Sequence, residues 1–180
     1  MRMNWSEQHT VPMFYDIINQ SKNPRGITMS ELLHLVCNFR KVLEAASVAG
    51  EFYHKCVFSG FPKGCCGDTC DLLGQYLISH GIKTGYTSGV WYGSNNNQHT
   101  HAWLVSEDGL VIDITGDQFS DDSQFYNFNF PVYIGKETTF HQLFQERSSR
   151  ARLPFHKLGC MEPHRLPRIY NKIMKYLPIE

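Results

Sequence analysis

The chain has 180 residues, of which 42% are hydrophobic, and its seventeen basic residues are balanced by seventeen acidic ones. A chain of this length can bury about 70% of the surface that its unfolded form exposes, so we expect residues 1–180 to form a single domain around its own core. Because its net charge is zero, the chain lacks the basic excess that a general nucleic-acid-binding protein normally shows, which argues against that class of protein.

The sequence contains no segment typical of a membrane or secreted protein. No stretch approaches the ~18 consecutive apolar residues of a membrane span, and residues 1–7 lack the apolar core of a secretory signal. We therefore expect a cytoplasmic protein without membrane or nucleic-acid partners, and delivery as an effector is compatible with this expectation.

The cysteines do not have the pattern of a disulfide framework. They stand at positions 37, 56, 65, 66, 70 and 160, and the adjacent pair Cys65 and Cys66 is poorly placed to bridge itself. In a reducing compartment, clustered cysteines are typical of catalytic, metal-binding or buried positions.

The first predicted helix covers residues 29–49 and follows a turn at 23–26, before which we expect an arm or a short helix. Thr28 and Glu31 have the spacing of a capping box, in which each side chain bonds the backbone of the other residue. Apolar residues then recur every three or four positions, which predicts an amphipathic helix that packs on the core. They are Leu32, Leu33, Leu35, Val36, Phe39, Val42, Leu43 and Ala46.

A glycine-rich stretch at 59–68 leads into a second predicted helix. This helix ends near Gly81, because glycine readily adopts the left-handed conformation that terminates helices. The hydrophobic period then changes to that of strands, with an asparagine-rich loop between the first two. The predicted strands cover residues 84–92, 101–105 and 110–115. Helices followed by antiparallel strands are typical of an α+β fold.

Beyond the third strand the pattern is weaker. An edge strand is predicted at 131–134 and a short helix at 140–147. We place the core of the domain at 28–135 and a basic C-terminal extension at 147–180, which ends in a helix around 169–177. The extension is interpreted as a solvated surface or as a strap over the acidic middle of the chain.

The glycine-rich stretch places cysteines at the beginning of the second helix. A thiol there lies in the positive field of the helix N-terminus, which favours the thiolate, and the free N–H groups of the first turn can hold an oxyanion. Gly64 and Gly67 remove side chains on both flanks, so a substrate backbone can approach closely. We favour Cys66 as the nucleophile and keep Cys65 as the alternative. Cys70 lies a full turn inside the helix and is interpreted as a packing residue.

A thiolate nucleophile needs a base and a group that orients the base. His101 and Asp113, on consecutive predicted strands, have the required chemistry. A two-residue turn would place them on opposite faces, whereas a three-residue loop at 107–109 closes Ser106 opposite Leu110 and puts them on one face. We predict the three-residue loop, which makes His101 and Asp113 diagonal neighbours within side-chain reach.

Three short motifs occur along the chain in the order cysteine, histidine, aspartate. Gly-Cys-Cys-Gly at 64–67 begins a helix, His-Ala-Trp at 101–103 lies on a strand, and Asp-Ile-Thr at 113–115 lies on the next. Over residues 61–119 the chain thereby resembles the transglutaminase-like (papain-type) superfamily of cysteine hydrolases. The resemblance implies an α+β core in which a helix bearing the cysteine packs on an antiparallel sheet bearing the histidine and aspartate.

The resemblance also implies a reaction. Cys66 would attack a peptide or carboxamide carbonyl, His101 would transfer the proton, and Asp113 would orient the imidazole, in a peptidase, amidase or deamidase that needs no cofactor or metal. The substrate would be a protein or peptide. The acyl group can pass to water or, in transglutaminase-type transfer, to an amine. Trp103 and Gln118 are candidates for wall or oxyanion contacts, but we favour packing as the role of Trp103 and a turn hydrogen bond as that of Gln118.

Two other classes of function stay open. In a zinc hydrolase, His99 and His101, two positions apart on one strand face, would bind the metal together with Asp113 or a cysteine. In a non-catalytic module, the fold would bind peptides in the cleft without reacting with them. The sequence does not indicate an oligomeric state.

Overall fold

The computed structural model describes residues 27–52, 57–94, 97–151, 154–155 and 164–177, and the arm predicted before the turn at 23–26 lies outside them. Within these residues the fold is α+β, as predicted, with helices packed on a five-stranded antiparallel sheet. No helix in this part of the chain combines the length and the apolar character needed to cross a bilayer.

The first helix, α1, covers Met29–Val48 and begins with the predicted capping box. The backbone N–H of Thr28 donates to Glu31 Oε2 (2.7 Å), and the backbone N–H of Glu31 donates to Thr28 Oγ1 (3.2 Å). These bonds satisfy N–H groups that have no partner inside the helix, which fixes where the helix starts. The apolar face of α1 is buried in the core, as its spacing predicts.

The second helix, α2, covers Cys66–Ser79. Gly81 has a φ of +77°, and the N–H of Ile82 donates to the carbonyl of Leu77 (2.9 Å), which is the left-handed helix ending predicted from this glycine. Half of the residues of α2 are buried, Cys70 among them, so this helix lies at the centre of the helical layer.

The strands are β1 (Thr84–Tyr92), β2 (Gln98–Ser106), β3 (Val111–Asp113), β4 (Tyr133–Gly135) and β5 (Gln145–Ala151). Their order in the sheet is β4-β3-β2-β1-β5, and neighbouring strands are antiparallel. β1 has the predicted bounds. β2 begins earlier than predicted because Gln98 pairs with Tyr92, and β3 is confined to the middle of the predicted strand.

A three-residue loop joins β2 to β3, as predicted. The N–H of Ser106 donates to the carbonyl of Leu110 (2.8 Å), so these two residues close the hairpin, and Gly109 adopts a φ of +79°. This closure sets the register of the two strands and puts His101 and Asp113 on the same face of the sheet.

The segment after β4 differs from the prediction. Instead of a helix over 140–147, a one-turn helix α3 covers Thr139–Gln142, and β5 then pairs with the outer edge of β1. Every residue of β5 is exposed, so its sequence lacks the alternation of apolar and polar residues that indicates a strand. β4 lies at the opposite edge of the sheet, slightly later than the edge strand predicted at 131–134.

Part of the predicted basic extension belongs to the core. The C-terminal helix α4 covers Arg165–Ile173, earlier than the predicted 169–177, and a 3-10 turn follows it at Met174–Tyr176. Leu166, Ile169 and Ile173 on α4 are buried in the same apolar core as α1 and α2. The remaining positions of α4 carry the basic residues that suggested a solvated tail.

Side chains cover the sheet on both faces. Ala102 and Leu104 of β2 face the helical layer, whereas His101 and Trp103, which alternate with them, face the other side. There they contact an aromatic cluster that the segment from the end of β3 to β5 contributes. The aromatic cluster contains Phe119, Phe125, Phe128, Phe140 and Phe144.

Candidate active site

The predicted site residues meet where β3 leaves β2. β3 pairs with β2 only at Leu104 and Val105, so it does not cover the preceding part of the β2 edge. The beginning of α2 lies there, and the backbone N–H of Ala102 is close enough to the Cys66 sulfur to help lower the pKa of that thiol. The short β3 ladder therefore lets a helix N-terminus, with its positive field, approach the sheet.

Cys66 is the first residue of α2 and is half-buried. Burial opposes ionisation, but the hydrogen bond to His101, the charge of that ring and the Ala102 N–H outweigh it and lower the pKa of the Cys66 thiol. A thiol that stays partly accessible and ionises readily has the properties of a nucleophile.

Cys65 has a different environment. Its thiol is buried, donates to the carbonyl of Pro62 (3.2 Å) and accepts from Thr69 Oγ1 (3.5 Å). Burial raises the pKa of the Cys65 thiol to about 12. A neutral, enclosed thiol of this kind is suited to packing, so the geometry favours Cys66 over Cys65 as the nucleophile.

His101 and Asp113 form a buried pair on the aromatic side of the sheet. His101 Nε2 lies 2.7 Å from Asp113 Oδ2, and both side chains are excluded from solvent. Burial disfavours the charge on each group, but their mutual attraction outweighs it, so the pKa of His101 is raised and that of Asp113 is lowered. Thr115 holds the other carboxylate oxygen with its backbone N–H, which lies 2.9 Å from Oδ1.

Gln118 lies between the imidazole and the cysteine loop. Its Nε2 lies 3.2 Å from His101 Nδ1 and donates to the carbonyl of Thr115 (2.9 Å), and its Oε1 accepts from the N–H of Gly64 (3.3 Å). Because Nε2 of His101 is engaged by the carboxylate, Nδ1 is the nitrogen available to Cys66. The Gln118 amide therefore lies beside the imidazole and is joined to the loop that precedes Cys66, and its bond to Thr115 is a hydrogen bond within its own turn.

Trp103 supports the imidazole from the buried side. Its ring centroid lies 5.7 Å from that of His101, and the residue is 1% exposed. The guanidinium of Arg147 covers the indole at 5.4 Å from the ring centroid. Trp103 therefore packs behind His101, on the side away from solvent.

Two further buried polar residues at the site were not predicted from the sequence. Nε2 of His141 lies 3.3 Å from Asp113 Oδ2, so the carboxylate contacts two histidines. Arg40 on α1 pairs with Asp117 through two hydrogen bonds (2.9 and 2.8 Å) and donates to the carbonyl of Ile114 (2.6 Å). Arg40 thereby holds the turn Gly116–Phe119, which carries Gln118. The sequence signal for Arg40 is a charged residue within the apolar stripe of α1, whereas no local pattern indicates that His141 belongs to the site.

His99, the second ligand of the zinc alternative, lies among aromatic rings. Its ring centroid is 5.6 Å from that of Trp91 and 5.5 Å from that of Phe125. Among the described residues, no group of three or more histidine, cysteine, aspartate or glutamate side chains is arranged to hold a metal ion.

The arrangement as a whole can support nucleophilic chemistry at sulfur. It combines a partly accessible thiol of lowered pKa, an imidazole beside it and a carboxylate that orients the imidazole. Comparisons with protein-family models, curated proteins and solved structures found no match for this chain. The resemblance to the transglutaminase-like superfamily therefore stays a prediction.

Proposed function

We propose that this protein is a cysteine-dependent hydrolase of peptide or carboxamide bonds, with a transglutaminase-like core and Cys66, His101 and Asp113 as its catalytic triad. One observation carries the proposal: a half-buried thiol at a helix N-terminus lies beside a buried imidazole that lowers its pKa, and this imidazole is itself 2.7 Å from a buried carboxylate. Ionisable groups that shift one another's pKa values tend to occur at functional sites, and these three groups come from distant parts of the sequence.

The first half of the reaction forms the acyl-enzyme. The Cys66 thiolate attacks the carbonyl carbon, a C–S bond forms, and the proton on His101 Nδ1 passes to the leaving amine as the C–N bond breaks. Asp113 keeps the imidazole in the orientation that presents Nδ1 to sulfur and stabilises its cationic form. Because the pKa of His101 is raised and that of Cys66 is lowered, we expect the proton to reside on the imidazole and the sulfur to be a thiolate before the attack.

The second half regenerates the enzyme. His101 takes a proton from water as the water oxygen attacks the thioester, and the C–S bond breaks to release the acid and return the thiolate. The N–H groups of the first turn of α2 and the amide of Gln118 are the donors that can stabilise the oxyanion of both tetrahedral intermediates.

Intact-mass measurement of iodoacetamide labelling at neutral pH tests the proposal. We expect one fast adduct on the wild-type protein, its loss in Cys66→Ala, and a strongly reduced rate in His101→Ala. Cys65→Ala is the matched control, since its thiol is neutral and enclosed, and should label at the wild-type rate. A wild-type protein in which Cys66 labels no faster than a free thiol would contradict the proposed function.

Turnover is tested on the same variants. Release of ammonia or of a new amino terminus from casein or from a glutamine-containing peptide library should depend on Cys66 and His101. Inclusion of a primary amine distinguishes hydrolysis from acyl transfer, because transfer adds the mass of the amine to the product.

A further inference from the structure

The Asp113 carboxylate is held by more donors than a triad needs. One oxygen, Oδ1, accepts from the backbone N–H of Thr115 (2.9 Å). The other, Oδ2, is approached by Nε2 of His101 (2.7 Å) and by Nε2 of His141 (3.3 Å). His141 is itself fully buried, so its ring cannot replace this contact with a hydrogen bond to solvent.

The second nitrogen of His141 has a dedicated partner. Its Nδ1 lies 2.8 Å from Thr138 Oγ1. Thr138 precedes α3 as its N-cap residue, yet its side chain makes no capping bond, so the hydroxyl is used by the imidazole. In the neutral ring, a hydroxyl that donates to Nδ1 leaves the proton on Nε2, the nitrogen that faces the carboxylate.

Packing holds the His141 ring in place. Its centroid lies 5.2 Å from that of Trp103 and 5.5 Å from that of Phe128, and Arg147 Nη2 donates to the backbone carbonyl of His141 (2.7 Å). The ring is thus held by neighbours on β2 and on the segment after β3, and its backbone is held from β5.

We propose that His141 is a positioning residue that anchors Asp113 Oδ2 and thereby keeps the His101 imidazole aligned with the Cys66 sulfur. This inference rests on the proposed function and adds a fourth member to the hydrogen-bonded chain. Without the anchor, the carboxylate and the imidazole can swing together away from sulfur, and proton transfer depends steeply on such alignment.

Within the part of the chain that the structure describes, titratable and charged groups face this anchor from several elements. They are His101 on β2, Cys66 on α2, Tyr133 on β4, Arg147 on β5 and Asp117 in the turn after β3. The variants below leave all of them unchanged.

The test compares His141→Gln with His141→Met. The two side chains are close in length and volume, but only glutamine places an N–H donor near the position of Nε2. The rate of Cys66 alkylation by iodoacetamide is measured against pH, with thermal unfolding as the folding control. We expect His141→Met to react about tenfold to about a hundredfold more slowly at neutral pH, with the apparent pKa of Cys66 moved towards ~8.5, and His141→Gln to recover most of the loss.

Three outcomes separate the hypotheses. If His141→Met keeps the wild-type rate and pH profile, or if methionine and glutamine impair the protein equally, the positioning role is overturned while the triad stands. If wild-type Cys66 titrates as an ordinary thiol, the proposed function fails and the inference fails with it.

If His141→Met does not fold, Thr138→Val replaces it, with Thr139→Val as the control on the exposed neighbour. Thr138→Val must then slow alkylation in the same direction, and equal rates for the two valine variants overturn the proposal.

Discussion

At the scale of single residues, a buried carboxylate organises the candidate site. Asp113 is 1% exposed in a strand otherwise made of valine and isoleucine, and a charge in such a place is costly unless it is paired. Its donors come from His101, His141 and Thr115, so the carboxylate is compensated on both oxygens. Burial disfavours the charge on His101, but the attraction of Asp113 outweighs it and raises the pKa of His101. The stability of the fold therefore depends on the protonation of His101.

This coupling predicts a pH dependence of stability. The pKa of His101 in the folded protein is raised above its ordinary value of about 6.5, chiefly because Asp113 outweighs burial. A group of this kind contributes stability that is fully present below its unfolded pKa and is lost as pH rises through its folded pKa. We therefore expect urea unfolding of a Cys66→Ala variant to show a free energy of unfolding that falls as pH rises above about 6.5.

The control for this experiment is the double variant Cys66→Ala, His101→Gln, in which the fall should be smaller. The Cys66→Ala background is required because a thiol of lowered pKa contributes stability in the opposite direction as pH rises. Parallel pH profiles for the two variants would show that His101 is not paired with Asp113 in solution.

At the scale of elements, the hairpin between β2 and β3 decides which side chains meet. Its three-residue loop puts His101 and Asp113 on one face, and a loop shorter by one residue would separate them. The ladder between the two strands is also short, which leaves the β2 edge near Ala102 to the N-terminus of α2. Register and ladder length together bring the cysteine helix to the histidine strand.

The loop makes a prediction about Gly109. This residue has a φ of +79°, and a Cβ built on it would meet nothing within 4 Å, so Gly109→Ala introduces backbone strain without a clash. We expect the free energy of unfolding to fall by about 1 kcal/mol. Gly60→Ala is the matched control, because Gly60 has equally open space and no positive φ. Equal urea midpoints for the two variants would contradict the observed loop.

At the scale of the whole molecule, segments near the C-terminus complete both faces of the sheet. β5 extends the sheet beyond β1, α3 brings His141 to the site, and α4 packs with α1 and α2. The stretch interpreted as a basic extension therefore combines an exposed charged side with an apolar side that belongs to the core.

The position of α4 makes a prediction about cooperativity. Ile173 is fully buried, so Ile173→Ala should lower the free energy of unfolding by about 3 kcal/mol through lost burial and a cavity. Arg168 on the same helix is exposed, and Arg168→Ala should change the free energy of unfolding by less than about 0.5 kcal/mol. Both variants should unfold in a single transition under urea. A transition of α4 separate from the rest of the chain would show that it is an independent appendage.

Short-range patterns alone predicted much of this molecule. The capping box of α1, the glycine ending of α2, the bounds of β1 and the loop before β3 all depend on residues within a few positions of one another, where backbone conformation follows directly from side-chain type. The candidate cysteine, histidine and aspartate came from the same local signals combined with strand parity.

The remaining features depend on contacts between distant segments. β5 is a strand because the edge of β1 is available to it, although its own residues are polar and exposed. Cys65 and Cys66 are adjacent in sequence, and only packing encloses one thiol and turns the other towards an imidazole. His141 reaches Asp113 across 28 positions of chain. No local pattern encodes such a pairing, because the partner of a buried polar group is chosen by how the whole chain folds.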